Sequence, residues 1–125
     1  MKSNIPNMQN SAAKSEEFSY TRKSRILKAY GKEYEIPART TEFTNKLDKA
    51  IEHIARAKNA TETVNAAKEG IALFIGIDET ERIFPHDKLN EIDIDELMSF
   101  WGALNYEIAR TQNEILAKYK KRDKK

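Results

Sequence analysis

Cysteine is absent from this chain, which excludes a disulfide framework, a thiolate metal site and a cysteine nucleophile, and fits a reducing compartment. Glycine and proline are sparse, at four and three residues. Gly31, Gly70, Gly76 and Gly102 are too scattered to assemble a phosphate-cradling loop or a dinucleotide fingerprint. The two histidines, His53 and His86, have no partner at zinc- or iron-ligand spacing, and structural or surface roles are expected for both. Charge of one sign is lacking as well: 22 Lys plus Arg against 20 Asp plus Glu leave only +2, which by itself names no nucleic-acid partner. No stretch approaches the roughly 20 apolar residues of a bilayer span, and the first residues lack the apolar run of a secretory signal. A cytoplasmic protein with no membrane partner is the expectation.

What the chain does have is enough for one modest core. Its 125 residues, 39% hydrophobic and 34% charged, match the size of a single domain. Residues 1–24 are rich in Asn, Ser, Lys and Glu and follow neither a strand nor a helix period, so this segment is expected to be disordered, with Phe18 and Tyr20 as its apolar handles. From Arg25 to Pro37 two short runs meet at Gly31, and Tyr34 and Ile36 alternate with Glu33 and Glu35, the pattern of a half-buried β-hairpin. Such a hairpin is marginal alone and must lean on a helix or on another copy of the chain.

Helical spacing governs the rest. Phe43, Leu47, Ala50, Ile51 and Ile54 mark an amphipathic helix from about Thr41 to Lys58. Val64, Ala67, Ile71, Phe74 and Ile75 mark a second from about Thr61, which Gly76 is suited to end. Gly70 inside it costs about 1 kcal/mol relative to Ala and hints at close packing. Asp78 with Glu81 reads as an N-capped short turn ending before Pro85, and Asp93 with Glu96 as the cap of the longest helix, from about Ile94 to Tyr119. Leu97, Trp101, Leu104, Ile108, Ile115 and Tyr119 form its central stripe, flanked by Phe100 on one side and by Met98, Ala109 and Leu116 on the other. That makes an apolar arc of roughly 180 degrees, wide enough for more than one neighbour. The expected architecture is mainly α with a small N-terminal β-hairpin (α+β): a helical domain over 25–119, then a basic tail over 120–125.

No nucleophile–base pair, carboxylate dyad or metal cluster has a recognisable spacing, so neither an enzyme nor a cofactor is expected. The acids Asp78, Glu79 and Glu81, and Glu91, Asp93, Asp95 and Glu96, lack the spacing and glycine of a calcium loop and read as helix caps and solvated charge. Contact beyond the monomer is assigned to Leu73, opposite the second helix's stripe, and to Tyr106, about 180 degrees from Leu97. Trp101, Ile115 and Tyr119 on the last helix are also candidates for partner binding, although core packing is the default role of Trp101 and Phe100.

A disordered or extended start, a hairpin around Tyr30-Gly31-Lys32-Glu33-Tyr34-Glu35-Ile36-Pro37, an amphipathic helix, a turn at Ile75-Gly76-Ile77-Asp78 and an acid-capped last helix at Ile94-Asp95-Glu96-Leu97 resemble, in that order, a phage tail assembly chaperone of long-tailed phages or prophages of Gram-positive bacteria. The resemblance covers roughly Arg25 to Lys118 and rests on element order; the long polar segment before it departs from the pattern. It implies a protein of the bacterial host cytoplasm, absent from the mature virion, that escorts the helical tape measure protein and helps recruit tail tube protein. A homo-oligomer is compatible with that role, as is a longer form made by ribosomal frameshifting near the Lys120-Lys121 and Lys124-Lys125 pairs. The alternative is a small nucleic-acid-binding regulator using Arg22, Lys23 and Arg25 with the basic tail from Lys118 to Lys125.

Overall fold

The computed structural model describes Ser19 and residues 24–123, with the backbone alone at 111–113, 115 and 118–123. Apart from Ser19 and Ser24, the segment 1–24 with Phe18 and Tyr20 lies outside the described residues. The chain is mostly helical with a hairpin first, in the order β1 (Ile26–Ala29), β2 (Lys32–Glu35), α1 (Thr41–Arg56), α2 (Ala60–Ile75), α3 (Ile77–Ile83), a 3-10 helix (His86–Glu91) and α4 (Ile94–Asp123).

β1 and β2 pair antiparallel, Leu27 opposite Tyr34 and Ala29 opposite Lys32, through a two-residue turn. Both turn residues, Tyr30 and Gly31, have positive φ, +54° and +78°, the combination that matches the twist of the flanking strands. Glycine takes that conformation freely, whereas an aromatic residue there is strained and must be held by its surroundings. The alternation is as expected: Tyr34 and Ile36 are buried while Glu33 and Glu35 are exposed.

α2 is the centre of the molecule, packing on α1, α3, α4, β2 and the 3-10 helix. Asn59 Oδ1 caps it by accepting from Glu62 N at 2.9 Å, and Glu62 Oε1 in turn accepts from Lys58 N at 2.9 Å, which satisfies two otherwise orphan donors. Val64, Ala67, Ile71 and Phe74 point into the core with Leu47 and Ala50 of α1 and Leu97, Phe100, Trp101 and Leu104 of α4. The close packing hinted at by Gly70 is real: a Cβ there would lie 2.5 Å from Trp101 Cζ3. Trp101 in turn meets Phe74 edge-on at 6.1 Å, and Phe74 meets Phe43 edge-on at 5.3 Å, the geometry that ring quadrupoles favour.

Gly76, at φ +91°, ends α2 as expected and also serves as the N-cap of α3. That overturns the cap assigned to Asp78: α3 has no side-chain cap bond, and Asp78 sits inside its first turn. The turn is closed instead by Thr80, buried, whose Oγ1 donates to Gly76 O at 2.7 Å. Asp93 does cap α4, its Oδ1 accepting from Asp95 N and Glu96 N at 2.9 and 3.2 Å. Glu96 does not reach back to complete a capping box; its carboxylate accepts from the Tyr30 hydroxyl at 2.8 Å.

Two expectations need correcting. Ile51 is 46% exposed and outside the core, because α1 is covered on the side of α2 only. The last helix runs to Asp123, about 45 Å in all, and takes in most of the segment set aside as a tail. The wide apolar arc of α4 does meet more than one neighbour, as expected, and both are inside the monomer: α2 takes the Trp101 side, and Phe100 meets Tyr30 and Tyr34 of the hairpin at 5.2 and 6.5 Å.

Candidate functional site

The polar groups of highest connectivity tie elements together. Glu79, near the start of α3, accepts from Tyr34 OH at 2.7 Å, Lys32 Nζ at 2.9 Å and Arg82 Nε at 3.0 Å. Arg82 Nη2 also donates to Tyr34 OH at 3.0 Å and to the Tyr30 carbonyl at 3.3 Å. These donors, Lys32 first, pull the Glu79 carboxyl from 4.5 to about 2. Burial and the Glu79 bond raise the Tyr34 phenol. A carboxylate held ionised so far below neutral is a fixed acceptor and carries no proton at pH 7. The cluster is therefore a latch that fastens the hairpin to α3. Tyr30 to Glu96 at the turn, and an Arg25 to Glu114 ion pair just before β1, fasten the hairpin to α4 as well.

A second joint links α2 to α3. Lys68 is 6% exposed, and its Nζ lies 2.8 Å from Glu81 Oε2, while Glu81 Oε1 accepts from His86 N at 2.8 Å. Lys68 was not singled out by pattern, and Glu79 and Glu81 are not the simple caps and solvated charges expected of them. One signal was present: Lys68 falls on the apolar stripe between Val64 and Ile71, where a buried cation requires a counter-charge.

His53 at the end of α1 has Nδ1 2.8 Å from Glu69 Oε1. The two border a shallow groove of about 410 Å³ with Arg56, Glu62 and Asn65. His86 follows Pro85 on the surface. Among the described residues no group of three or more His, Asp or Glu side chains is placed to hold a metal ion, and no helix is long and apolar enough to cross a membrane.

The residues proposed for partner binding separate. Tyr106 is 62% exposed, as its angle to the stripe requires. Trp101 is 8% exposed and committed to the core across Gly70, so it offers no outer surface. Leu73 is half-buried against the core, although Glu62 and Glu69 on the same face of α2 are exposed. Ile115 and Tyr119 lie on α4, and their side chains are outside the described residues.

Two residues assigned to the apolar arc join Tyr106 instead: Ala109 is exposed and Leu116 is 53% exposed. With Gly102, also exposed, they fall within about 80 degrees of arc over about 21 Å of helix. The signal was available from periodicity: these positions lie 100 to 180 degrees from Leu97, beyond what neighbours on one side of α4 can cover. Small and apolar residues on one stripe allow a second helix to approach closely. No protein-family model, curated protein or solved structure matches this chain.

Proposed function

We propose that this chain is a phage tail assembly chaperone that binds the tape measure protein and helps bring tail tube protein to it. The observation that carries the reading is the stripe of Gly102, Tyr106, Ala109 and Leu116, left exposed on a 30-residue helix whose inner face is already spent on the core. A partner that lays an amphipathic helix along it would bury apolar surface on both sides. A long helical partner presents that surface repeatedly, so weak single contacts suffice when many copies bind in a row. The best-connected charged groups fasten the fold together and perform no chemistry in this role.

The test is co-purification of the full chain with tape measure protein and with tail tube protein. Retention of tape measure protein, lost in a Tyr106→Lys, Leu116→Lys double variant that still folds, is the expected result. Recovery of neither protein by the wild-type chain sinks the reading. For the nucleic-acid alternative, Arg25 counts against an open basic surface: its side chain is only 16% exposed and is paired with Glu114. Salt-sensitive retention on DNA is the result that would favour that alternative.

A further inference from the structure

Among the described residues, none pairs with the outer edge of the hairpin. In the observed register Ile36 N donates to Arg25 O, and Leu27 and Ala29 face Tyr34 and Lys32. Bonded and non-bonded pairs alternate in an antiparallel ladder, so the N–H and C=O groups of Ile26 and Lys28 point away from β2. Among the described residues no backbone bond beyond the strand pairing reaches either of them. Natural proteins usually blunt such an edge with charge. Here Ile26 is 54% exposed, and the one edge lysine, Lys28, has its charge answered by Glu33 at 3.8 Å across the hairpin.

We propose that the free edge of β1 pairs antiparallel with β1 of a second copy, about a two-fold axis at Leu27. This inference goes beyond the proposed function and does not depend on it. The edge is self-complementary in that register. Ile26 of one copy stands opposite Lys28 of the other and the reverse, so the outward groups of both residues meet and make about four hydrogen bonds. On the outer face the row across the sheet reads Glu35, Ile26, then Lys28 and Glu33 of the second copy. The aliphatic stem of each lysine covers the other copy's Ile26, while its ammonium lies between two carboxylates. A four-stranded sheet replaces two marginal hairpins.

Sedimentation of the full chain from micromolar to millimolar concentration, with amide exchange at Ile26 and Lys28, reads the pairing. Ile26→Lys separates folding from association. Within the monomer the new lysine faces Glu35, a favourable cross-strand pair, whereas in the dimer it faces Lys28 of the second copy. The expected result is a reversible dimer for the wild type and a dissociation constant at least tenfold weaker for Ile26→Lys at unchanged circular dichroism. Because the chain has no cysteine, a mixture of Ile26→Cys and Lys28→Cys chains adds a check on register. The two sulfurs fall on a pair with Cα atoms about 5.5 Å apart, within disulfide reach, and the mixture should cross-link more than either variant alone. A wild type that stays monomeric throughout, or an Ile26→Lys variant that associates as the wild type does, overturns the proposal. A monomer with those two amides protected overturns it too, and assigns the edge to residues upstream in the same chain.

Discussion

Gly70 shows two local preferences in conflict. Within a helix, alanine is better than glycine by about 1 kcal/mol, so Gly70→Ala should stabilise α2 considered alone. The Cβ it adds would lie 2.5 and 2.6 Å from Cζ3 and Cη2 of Trp101, a large ring wedged edge-on against Phe74. Overpacking of this kind costs about 1 to 3 kcal/mol, and a rigid buried ring has little freedom to yield. The expected outcome is a lower Tm for Gly70→Ala, recovered in part by a Gly70→Ala, Trp101→Phe double variant; a rise in Tm for the single variant would contradict the packing. The glycine's misfit with its helix was visible in the sequence. Its cause was not, because Trp101 is 31 positions away and periodicity along α2 carries no information about what crosses it. Glu79 and Lys68 were hidden for the same reason, their partners on other elements being supplied only by the fold.

At the scale of elements, helix ends and strand alternation were legible where the code is local. Asp93 is an example: its side chain caps α4 just where a capping acid stands in the sequence. Asp93→Ala should cost about 1 kcal/mol in urea unfolding, with faster amide exchange confined to the first turn of α4; loss spread evenly along the helix would point to another cause. Asp78 failed by the same criterion because Gly76 serves as both the end of α2 and the start of α3, leaving no place for the expected cap. The 3-10 helix at His86–Glu91 was not foreseen, since so short a segment has too few turns to show a period.

The hairpin is the element whose attachment depends most on protonation. Glu79 has a folded value near 2, below its usual 4.5, so its latch contributes fully above pH 4.5 and weakens as pH falls toward 2. Tyr30 has the opposite sign. Burial, then its bond to Glu96 and that carboxylate's charge, push the phenol from 10 to about 12; the contribution is complete below pH 10 and is lost as pH rises through 12. The hairpin should therefore loosen at both extremes, while α2 stays protected in between. A spectrophotometric titration should show two late tyrosines, Tyr30 and Tyr34, of which only one remains in Tyr30→Phe; titration of all the tyrosines together near pH 10 would remove the basis for this expectation.

For the whole molecule, the issue is which apolar residues belong to the fold and which are spare. The order of hairpin and helices was legible because each has its own period. The division of surface along α4 was only half legible. Its stripe was read as one wide arc, but Phe100 and Trp101 are covered by the hairpin and α2, while Ala109 and Leu116 turn outward with Tyr106. This division predicts opposite mutational signatures on one helix. Trp101→Ala should cost about 3 to 5 kcal/mol, because it empties a buried site, and should impair binding only by unfolding the protein. Tyr106→Lys with Leu116→Lys should change stability by no more than about 0.5 kcal/mol, since neither side chain supports the core, yet should abolish any helix docking along the stripe. Thermal unfolding and partner retention measured on the same preparations separate the two cases. If the double lysine variant melts as the wild type does and still retains its partner, the stripe is ordinary surface; if it loses the partner at unchanged Tm, binding belongs to the outer face of α4 and folding to the inner one.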